Sequence, residues 1–368
     1  MKILITGADG FIAKNLQVRL LELSNYEILS FTRDSSIEEL KLKVHESDFI
    51  FHLAGTNRHD NDNEFQSGNV DFTKILCEFI AASKKIIPLV FSSSIQAELQ
   101  NPYGISKRNA EDLLINLQKN YMNPIYIYRL PNVFGKWARP NYNSAVATFC
   151  HNISHNLPIN INNPSAKLHL AYIDDVIDSF ISILNGGGKD IYQTIGRTYE
   201  TTVGEVASII NGFKDVPQTG IIQEVGLGIT RALYSTYLSY LPVNKFAYQL
   251  TQHKDERGVF VEMLKTKNSG QFSFFTAHPG VTRGGHYHHT KTEKFLIIQG
   301  TAKFRFRHIL TNELYEINVD DTISTVVETI PGWSHDITNI GDSLLIVMLW
   351  ANEVFDRQRP DTIIAKVN

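Results

Sequence analysis

The sequence is poor in cysteine and contains no long apolar segment. It has two cysteines in 368 residues, Cys77 and Cys150, which cannot form a disulfide framework and are expected to be buried apolar side chains. No apolar run approaches the ~20 residues that a membrane-spanning helix needs. Met1 leads directly into a first strand, without the pattern of a signal peptide. These absences predict a cytoplasmic protein that has no membrane partner.

The sequence also lacks an excess of charge of either sign. Its formal net charge is −3, from 35 Lys and Arg residues against 38 Asp and Glu residues. Such a balance gives no reason to expect nucleic acid as a partner. The composition is 43% hydrophobic and 20% charged, which is ordinary for a globular protein with a full core. The length favours two or three domains.

Residues 1–130 alternate between short apolar runs of strand length and segments with helical spacing. This alternation predicts a parallel sheet with helices on both faces, as in a Rossmann-like α/β domain. The predicted strands are Lys2–Thr6, Glu27–Phe31, Asp48–Leu53, Leu89–Phe91 and Ile125–Leu130, and the predicted helices are Phe11–Leu23, Ile37–Lys43, Val70–Ala82 and Tyr103–Lys119.

From about residue 250 the period changes to short strands separated by turn residues. This pattern predicts an antiparallel barrel or sandwich. The predicted strands are Gln271–Phe275, Lys294–Ile298, Ala302–Phe306, Ile323–Val327 and Leu344–Leu349. The sequence therefore predicts two domains, an α/β domain over residues 1–245 and an all-β domain over residues 246–368.

A glycine-rich turn, Thr6–Ala13, lies between the first predicted strand and the first predicted helix. Gly7 permits the tight turn, and Gly10 lets the backbone approach a pyrophosphate at the helix N-terminus. An ordinary strand–helix turn is the alternative interpretation. The residues of this turn that we predict to bind a dinucleotide cofactor are Gly7, Asp9, Gly10, Phe11 and Ile12.

The end of the second predicted strand bears on the choice of cofactor. Where an acidic residue would bind the ribose hydroxyls of NAD, the chain has Phe31-Thr32-Arg33. The guanidinium of Arg33 can pair with a 2′-phosphate, which favours NADPH over NADH. The alternative is that Arg33 is a solvated surface charge.

A serine-rich strand end, Phe91–Ser94, is followed by Tyr103 and Lys107. Residues four apart lie on one face of a helix, and a cationic neighbour is expected to lower the pKa of a tyrosine. Tyr103 would then pass a proton to or from a substrate oxygen while hydride moves to or from a nicotinamide. Ser94, at the strand end, would hydrogen-bond the same oxygen.

Residues 1 to about 240 resemble an extended short-chain dehydrogenase/reductase of the sugar-nucleotide type. Further segments that carry the resemblance are His52-Leu53-Ala54-Gly55, Arg129-Leu130-Pro131-Asn132-Val133-Phe134-Gly135 and Tyr172-Ile173-Asp174-Asp175-Val176. The resemblance implies that Asn132 helps to bind a nucleotide sugar. It also implies that Leu53, Ala54, Gly55, Tyr103 and Lys107 contact the cofactor. The stretch from Ser94 to Tyr103 is shorter than usual, so the choice among the three serines stays open; the resemblance favours Ser94.

A histidine–glutamate cluster lies near the C-terminus. The segment Gly280–Gly300 resembles the first cupin motif at every specified position, and Pro331–Asn339 resembles the second without its leading glycine and one further residue. Two histidines in alternate strand positions point to the same face. We predict a divalent metal site made of His286, His288, Glu293 and His335. Imidazole and carboxylate also suit iron, manganese and nickel; zinc is favoured because this domain needs no redox step. His289 is expected to be a bystander.

A second resemblance gives His286 another role. The segments Asp255–Phe260 and Arg283–Tyr287 resemble the signature of the deoxysugar epimerases of the cupin superfamily. In those enzymes the histidine of Arg-Gly-x-His removes a proton next to a ketone and binds no metal. The resemblance implies that His286 is a catalytic base and that Arg283 binds substrate. The sequence therefore leaves two roles open for His286, metal ligand and catalytic base.

The order of the two domains, with the connecting segment Leu233–Pro242, resembles the bifunctional capsular-polysaccharide enzymes of the UDP-N-acetyl-L-fucosamine pathway. The resemblance implies C3 epimerisation of a UDP-linked 4-keto-6-deoxy-N-acetylhexosamine in the cupin domain. NADPH-dependent reduction of C4 then gives a UDP-linked 6-deoxy-N-acetyl-L-talosamine. It also implies a homodimer. The alternatives are a single-function reductase whose cupin serves dimerisation, and a nucleotide-sensing regulator that is not an enzyme.

Overall fold

The computed structural model describes residues 1–57, 63–250, 253–255, 258–260, 264, 270–353 and 358–367. The chain divides into two compact units. The first consists of Met1–Arg139 and Leu168–Glu200, and the second of Pro140–Lys167 and the chain from Thr201 onward. The second unit takes in helices that precede residue 246, and the domain boundary placed there from the sequence stays a prediction.

The helices are distributed over both units. They are α1 (Phe11–Glu22), α2 (Ile37–Glu46), α3 (Asn63–Phe65), α4 (Phe72–Ser83), α5 (Pro102–Tyr121), α6 (Ala145–Ser154), α7 (Ile173–Leu184), α8 (Val203–Lys214), α9 (Val216–Thr219) and α10 (Gly228–Ser239). A π-helical segment covers Gln66–Asp71, and 3₁₀ segments cover Ile95–Glu98 and Val243–Lys245.

The strands follow the two periods that the sequence shows. Those before residue 246 are β1 (Lys2–Thr6), β2 (Glu27–Phe31), β3 (Phe49–His52), β4 (Leu89–Ser94), β5 (Ile125–Leu130), β6 (Asn132–Phe134), β7 (Lys167–Tyr172), β8 (Tyr192–Gln193) and β9 (Tyr199–Thr202). Those after it are β10 (Ala247–Gln249), β11 (His253–Asp255), β12 (Gly258–Phe260), β13 (Gln271–Ala277), β14 (Thr282–Tyr287), β15 (Glu293–Gln299), β16 (Thr301–His308), β17 (Leu314–Asp320), β18 (Thr325–Glu328), β19 (Trp333–Asn339), β20 (Leu345–Ala351) and β21 (Ile363–Ile364).

The first unit is built on a parallel sheet in the order β2-β1-β3-β4-β5-β8. Every residue of β3 and β4 is buried, as expected for strands covered by helices on both faces. The strand order reverses between β1 and β3, the place where doubly wound sheets bind ligands at their carboxyl ends. The predicted Rossmann-like fold is confirmed, and the predicted strands β1, β2 and β5 begin and end where the sequence indicated.

The second unit contains two antiparallel sheets, in the orders β10-β18-β15-β20-β13 and β17-β16-β19-β14-β21. They share one apolar core, to which the first sheet contributes Phe295 and Val347 and the second contributes Phe304 and Trp333. The predicted all-β cupin-like fold is confirmed. Helices α6, α8 and α10 pack on one another in the same unit, and the Ser235 hydroxyl of α10 donates to the carbonyl of Thr290 at 2.9 Å.

In the described parts of the chain, no helix combines the length and apolar character that a membrane crossing requires.

Candidate functional site

The glycine turn lies against the segment that follows β3. Gly7 has φ +67°, and a Cβ there would lie 2.7 Å from Cα of Ala54, so a side chain would be both strained and in collision. The Gly10 N–H donates to the carbonyl of Gly7 at 2.8 Å, and Gly10 then precedes α1 without a side-chain cap. The N–H groups of a helix's first turn have no partner within the helix. The structure thus brings Gly7, Gly10, Phe11 and Leu53–Gly55 together at the carboxyl ends of β1 and β3.

The other predicted cofactor residues lie at the rim of this turn. Asp9 is exposed, and Ile12 is half-buried. The Ala8 N–H donates to the carbonyl of Phe31 at 3.0 Å, so the turn and the end of β2 are adjacent. Arg33 follows two residues later in an exposed turn. Its guanidinium is therefore accessible to a ligand held on the glycine turn.

The three serines at the end of β4 point to three different partners. The Ser92 hydroxyl donates to the carbonyl of His52 at 3.4 Å, and the Ser93 hydroxyl donates to the carboxylate of Glu111. The Ser94 hydroxyl accepts the N–H of Gln96 at 3.2 Å and also lies within hydrogen-bonding reach of the Tyr103 hydroxyl. The structure therefore brings Ser94 and Tyr103 together, and the choice of Ser94 among the three serines stays a prediction.

Tyr103 lies at the start of α5, where the Asn101 side chain caps the helix and Pro102 occupies its first turn. Burial raises the pKa of Tyr103, and the hydrogen bond with Ser94 opposes this only in part. The expected lowering of the tyrosine pKa by Lys107 is therefore wrong.

The reason is that Lys107 is itself buried. Desolvation lowers the pKa of Lys107 to about 8, although the charge of Glu111 acts in the opposite direction. The Lys107 ammonium lies 4.5 Å from the centre of the Phe91 ring, and a cation over an aromatic face is stabilised by the ring quadrupole. Lys107 therefore keeps most of its charge near pH 7 and loses it as the pH rises through about 8.

Two polar residues of this unit escaped the sequence reasoning. Glu111 is buried and pairs with Arg129 at 2.6 Å; its spacing of four residues after Lys107 on one helix face would have identified it. Asn69, in the π-helical segment, donates to the hydroxyl of Ser106 and to the carbonyl of Thr56, both at 2.9 Å. No signal in the sequence marks Asn69.

Asn132 occupies an exposed position on β6. Its side-chain amide donates to the carbonyl of His169 at 3.3 Å. This bond fixes the Asn132 side chain within the segment 129–135, which resembles part of a nucleotide-sugar site.

The four predicted metal ligands come together in the second unit. One donor atom from each of His286, His288, Glu293 and His335 lies within 4.8 Å of all the others. Oε2 of Glu293 lies 3.1 Å from Nε2 of His288 and 3.4 Å from Nε2 of His335. Ligand atoms on a tetrahedral zinc ion are about 3.4 Å apart, because each bond is about 2.1 Å long. The most widely separated donor atoms therefore need to approach each other by roughly 1 Å to hold such an ion.

The surroundings of His288 fit a metal ligand. Its Nδ1–H donates to the backbone carbonyl of Asp361, which orients the ring with Nε2 directed at the cluster. The carboxylate of Asp361 accepts the N–H groups of His289, Thr290 and Lys291 at 2.6–2.8 Å. Asp361, which the sequence reasoning missed, thus holds the loop between His288 and Glu293 in place.

A further cation adjoins the cluster. The Lys291 ammonium lies 2.9 Å from Oε1 of Glu293, so the lysine binds one carboxylate oxygen while the two histidines face the other. Burial alone would raise the pKa of Glu293, but His288 and His335 hold it well below its usual range. Glu293 is therefore ionised and available to a cation.

His286 is a neutral imidazole, which suits both of its predicted roles, metal ligand and catalytic base. Desolvation, with His335 and His288 nearby, lowers the pKa of His286 to about 3. A neutral imidazole can bind a metal or accept a proton. The expectation that His286 and His288 share one regular strand is wrong. Strand β14 ends at Tyr287, so His288 lies beyond it. A bulge between Gly284 and His286 also interrupts the pairing of β14 with β19. The two rings reach the same cluster without regular strand alternation.

The epimerase-like signature is described only in part. Arg283 is exposed, with its guanidinium 5.1 Å from the centre of the Phe275 ring and a hydrogen bond of 3.1 Å to the carbonyl of Thr276. The side chains of the segment 255–260 lie outside the described residues. His289 is not one of the metal-site group and stacks edge-to-face on Tyr287.

Two family models match the chain. The NAD dependent epimerase/dehydratase family matches residues 3–194, and the polysaccharide biosynthesis C-terminal domain matches residues 253–363. The chain is similar over its whole length to the UDP-2-acetamido-2,6-beta-L-arabino-hexul-4-ose reductase of Pseudomonas aeruginosa. The identity is 54% over 368 residues, which cover 100% of this chain and 99% of that protein.

Two solved structures resemble the chain, one over its whole length and one over part of it. The capsular polysaccharide assembling protein CapF from Staphylococcus aureus is 38% identical, with a TM-score of 0.69 and coverage of 100% of both chains. A UDP-glucuronic acid 4-epimerase from Bacillus cereus in complex with NAD is 22% identical over 58% of this chain and 84% of its own, with a TM-score of 0.51. The latter likeness is one of fold alone.

Proposed function

We propose that this chain, which belongs to the NAD dependent epimerase/dehydratase family, catalyses two successive reactions on one UDP-linked 4-keto-6-deoxy-N-acetylhexosamine. The domain of residues 246–368 epimerises C3, and the domain of residues 1–245 then reduces the C4 ketone with NADPH. The product is UDP-N-acetyl-6-deoxy-L-talosamine, for capsular or surface polysaccharide. The proposal rests on one observation: a single chain carries the Ser94–Tyr103–Lys107 site and the histidine–glutamate cluster. The reductase name of the Pseudomonas relative supports the second reaction.

In the reduction, Ser94 and Tyr103 hold the C4 oxygen of the substrate. NADPH, when bound, supplies the hydride to C4. The raised pKa of Tyr103 keeps its phenol protonated, so the hydroxyl can donate its proton to the oxygen that becomes the C4 alcohol. Lys107 follows on the same helix face and restores charge balance near the phenolate that remains. Asn132 orients the nucleotide sugar, and Arg33 selects the 2′-phosphate of NADPH.

In the epimerisation, the C4 ketone acidifies the neighbouring C3–H bond. A base removes that proton and leaves an enolate, and return of a proton to the other face inverts C3. His286 is neutral and fits the base or a metal ligand, while Arg283 contacts the substrate. Reduction of the ketone afterwards removes the acidity of C3 and fixes the new configuration.

The metal site takes a divalent cation, and zinc suits three imidazoles and one carboxylate. His286, His288, Glu293 and His335 would hold it. When bound, such a cation supplies a Lewis acid that polarises a carbonyl. We propose that it also stabilises the domain. A homodimer, a cytoplasmic location and the absence of nucleic-acid or membrane partners complete the proposal; the resemblance to the bifunctional enzymes supports the dimer.

The second candidate is a single-function, NADPH-dependent UDP-4-ketosugar reductase with the cupin as a metal-stabilised dimerisation module. The observation that favours it is that the Pseudomonas relative is named as a reductase alone. The non-enzymatic regulator has no such support, because the Tyr103 and Lys107 pair is intact.

The product identifies the function. Purified protein is incubated with the UDP-linked 4-ketosugar and NADPH, and the product is analysed by NMR. The proposal expects an alcohol at C4 together with inverted configuration at C3. An alcohol at C4 with C3 unchanged would favour the single-function reductase, and unreacted ketosugar would reject both.

A further inference from the structure

A buried carboxylate, Glu111, connects the serine strand to the catalytic helix. Only 1% of its side chain is exposed, and it lies on α5 among apolar residues of the first unit's core. One oxygen, Oε1, accepts the Ser93 hydroxyl from the end of β4. An isolated buried carboxylate is costly, and such groups persist where they are paired.

Glu111 has a second set of partners on β5 and beyond. The Arg129 guanidinium donates to both of its oxygens, with Nη2 at 2.6 Å from Oε2 and Nε at 3.1 Å from Oε1. The Tyr192 hydroxyl donates to Oε2 at 3.2 Å. Arg129 belongs to the same segment as Asn132, so one carboxylate joins α5 to the carboxyl ends of β4 and β5.

Glu111 also continues the catalytic stripe of α5. Tyr103, Lys107 and Glu111 follow one another at intervals of four residues, which places them on one helix face. The carboxylate acts electrostatically on Lys107 and raises its pKa against the effect of burial. Ser93 is the neighbour of Ser94, which hydrogen-bonds Tyr103. Lys107 is thus one helix turn and Tyr103 two helix turns from this carboxylate, and Ser94 adjoins the serine that the carboxylate binds.

We propose that Glu111 is a positioning residue of the reductase, which fixes the Ser93–Ser94 strand end and keeps Lys107 charged. The inference rests on the proposed reduction at Tyr103. Glu111 itself touches neither substrate nor cofactor. It acts through Ser93 on the placement of Ser94, and through its charge on Lys107.

The electrostatic part is tested by the pH profile of kcat for NADPH oxidation. Charged Lys107 is the active form, so activity falls as the pH rises through its pKa, which is about 8. Glu111→Gln keeps an oxygen for Ser93 but removes the negative charge, which lowers the pKa of Lys107 further. The basic limb should therefore move to lower pH by about one unit. A merely structural role would lower kcat at every pH and leave the limb in place.

Glu98→Gln is the matched control. Glu98 bonds the same guanidinium, with 3.1 Å between its Oε1 and Nη1 of Arg129, but it is largely exposed. Its loss should leave the pH profile unchanged. A basic limb in Glu111→Gln that coincides with the wild-type limb would overturn the electrostatic role. Equal shifts in Glu98→Gln and Glu111→Gln would overturn it as well.

The positional part is tested by Ser93→Ala, a small change that serves even if Glu111→Gln fails to fold. Loss of the Glu111 contact should lower kcat about 5–10-fold, on the scale of one ordinary hydrogen bond, with the basic limb unmoved. Wild-type kcat in Ser93→Ala would overturn the positional role. If wild-type protein oxidises no NADPH with the ketosugar, the proposed function fails; if it does and both variants behave as wild type, this inference alone fails.

Discussion

Tyr103 and Lys107 are both buried, and burial favours the neutral form of each side chain. It raises the pKa of Tyr103 and lowers that of Lys107 to about 8. A neutral phenol is the form that donates a proton, so the shift favours ketone reduction over alcohol oxidation. The sequence pattern identified the pair, but the balance between burial and charge depends on how deeply α5 packs against β4.

Tyr103→Phe removes the proposed proton donor and leaves the ring in place. We expect NADPH oxidation to fall by about 10²–10⁴-fold, the usual contribution of general acid catalysis, while C3 exchange of the ketosugar stays at the wild-type rate. Tyr121→Phe, at the exposed end of the same helix, is the control and should change neither. Wild-type reduction by Tyr103→Phe would remove Tyr103 from the mechanism.

Arg33 is the residue on which the choice of cofactor depends. Its exposed guanidinium stands after β2, where an acid would bind the free ribose of NAD. We expect wild-type protein to prefer NADPH, and Arg33→Ala to raise the KM for NADPH about tenfold while affecting NADH little. The control is Lys41→Ala, which removes an exposed cation on α2. Equal use of both cofactors by the wild type would show that Arg33 is only a surface charge.

Individual site residues were predictable where chemistry demands a fixed spacing. Tyr103 with Lys107, and His286 with His288 and Glu293, follow such spacings, and the structure brings each group together. The spacing of Glu111 after Lys107 places it on the same helix face, but its bonds to Ser93 and Arg129 appear only in the fold. The same is true of Asp361, whose partners lie about 70 residues away.

Among the elements, the β1–α1 turn has no room for a side chain at Gly7. Gly7→Ala forces a side chain into a left-handed conformation and to within 2.7 Å of Ala54. We expect a loss of at least about 1–2 kcal/mol in the free energy of unfolding, together with weaker NADPH binding. Thermal unfolding and cofactor titration measure the two effects. Gly196→Ala, where a new Cβ meets nothing within 4 Å, is the control; equal stability of the two variants would contradict the account.

Two strands that carry metal ligands, β14 and β19, were not among the predicted strands, whereas β15, which carries Glu293, was. Strand β19 contains Ser334, His335 and Asp336, a polar run that looks like a loop, yet the strand is almost wholly buried. Asp336 tolerates burial because the Arg305 guanidinium donates to both of its oxygens, at 2.9 and 2.6 Å. Hydrophobic periodicity finds strands that pack on apolar cores, as in β1 or β5. It fails where a strand's inward face is occupied by a polar site.

At the scale of the second unit, the metal ligands come from both sheets. Glu293 lies on β15 in one sheet, whereas His286 and His335 lie on β14 and β19 in the other. A cation bound only by the folded state stabilises it, by about 4 kcal/mol at a thousand times its dissociation constant. Chelation or His335→Ala should therefore lower the melting temperature of this unit, with reduction through Tyr103 retained.

Calorimetry and an NADPH assay of the same samples check the metal prediction. His278→Ala, which removes a histidine outside the cluster, is the control. Elemental analysis that finds no stoichiometric metal in protein purified without chelator would contradict it. Loss of C3 exchange with the fold retained would assign the metal to the chemistry as well.

For the whole molecule, the central claim is that one chain performs two separable reactions on one sugar. The most direct measurement is proton NMR of the UDP-linked 4-ketosugar in D₂O with purified protein and no NADPH. The account predicts that the C3 proton signal disappears as deuterium enters, and that Tyr103→Phe protein does the same. A C3 proton that persists, in protein that oxidises NADPH once it is added, would contradict the account and leave a single-function reductase.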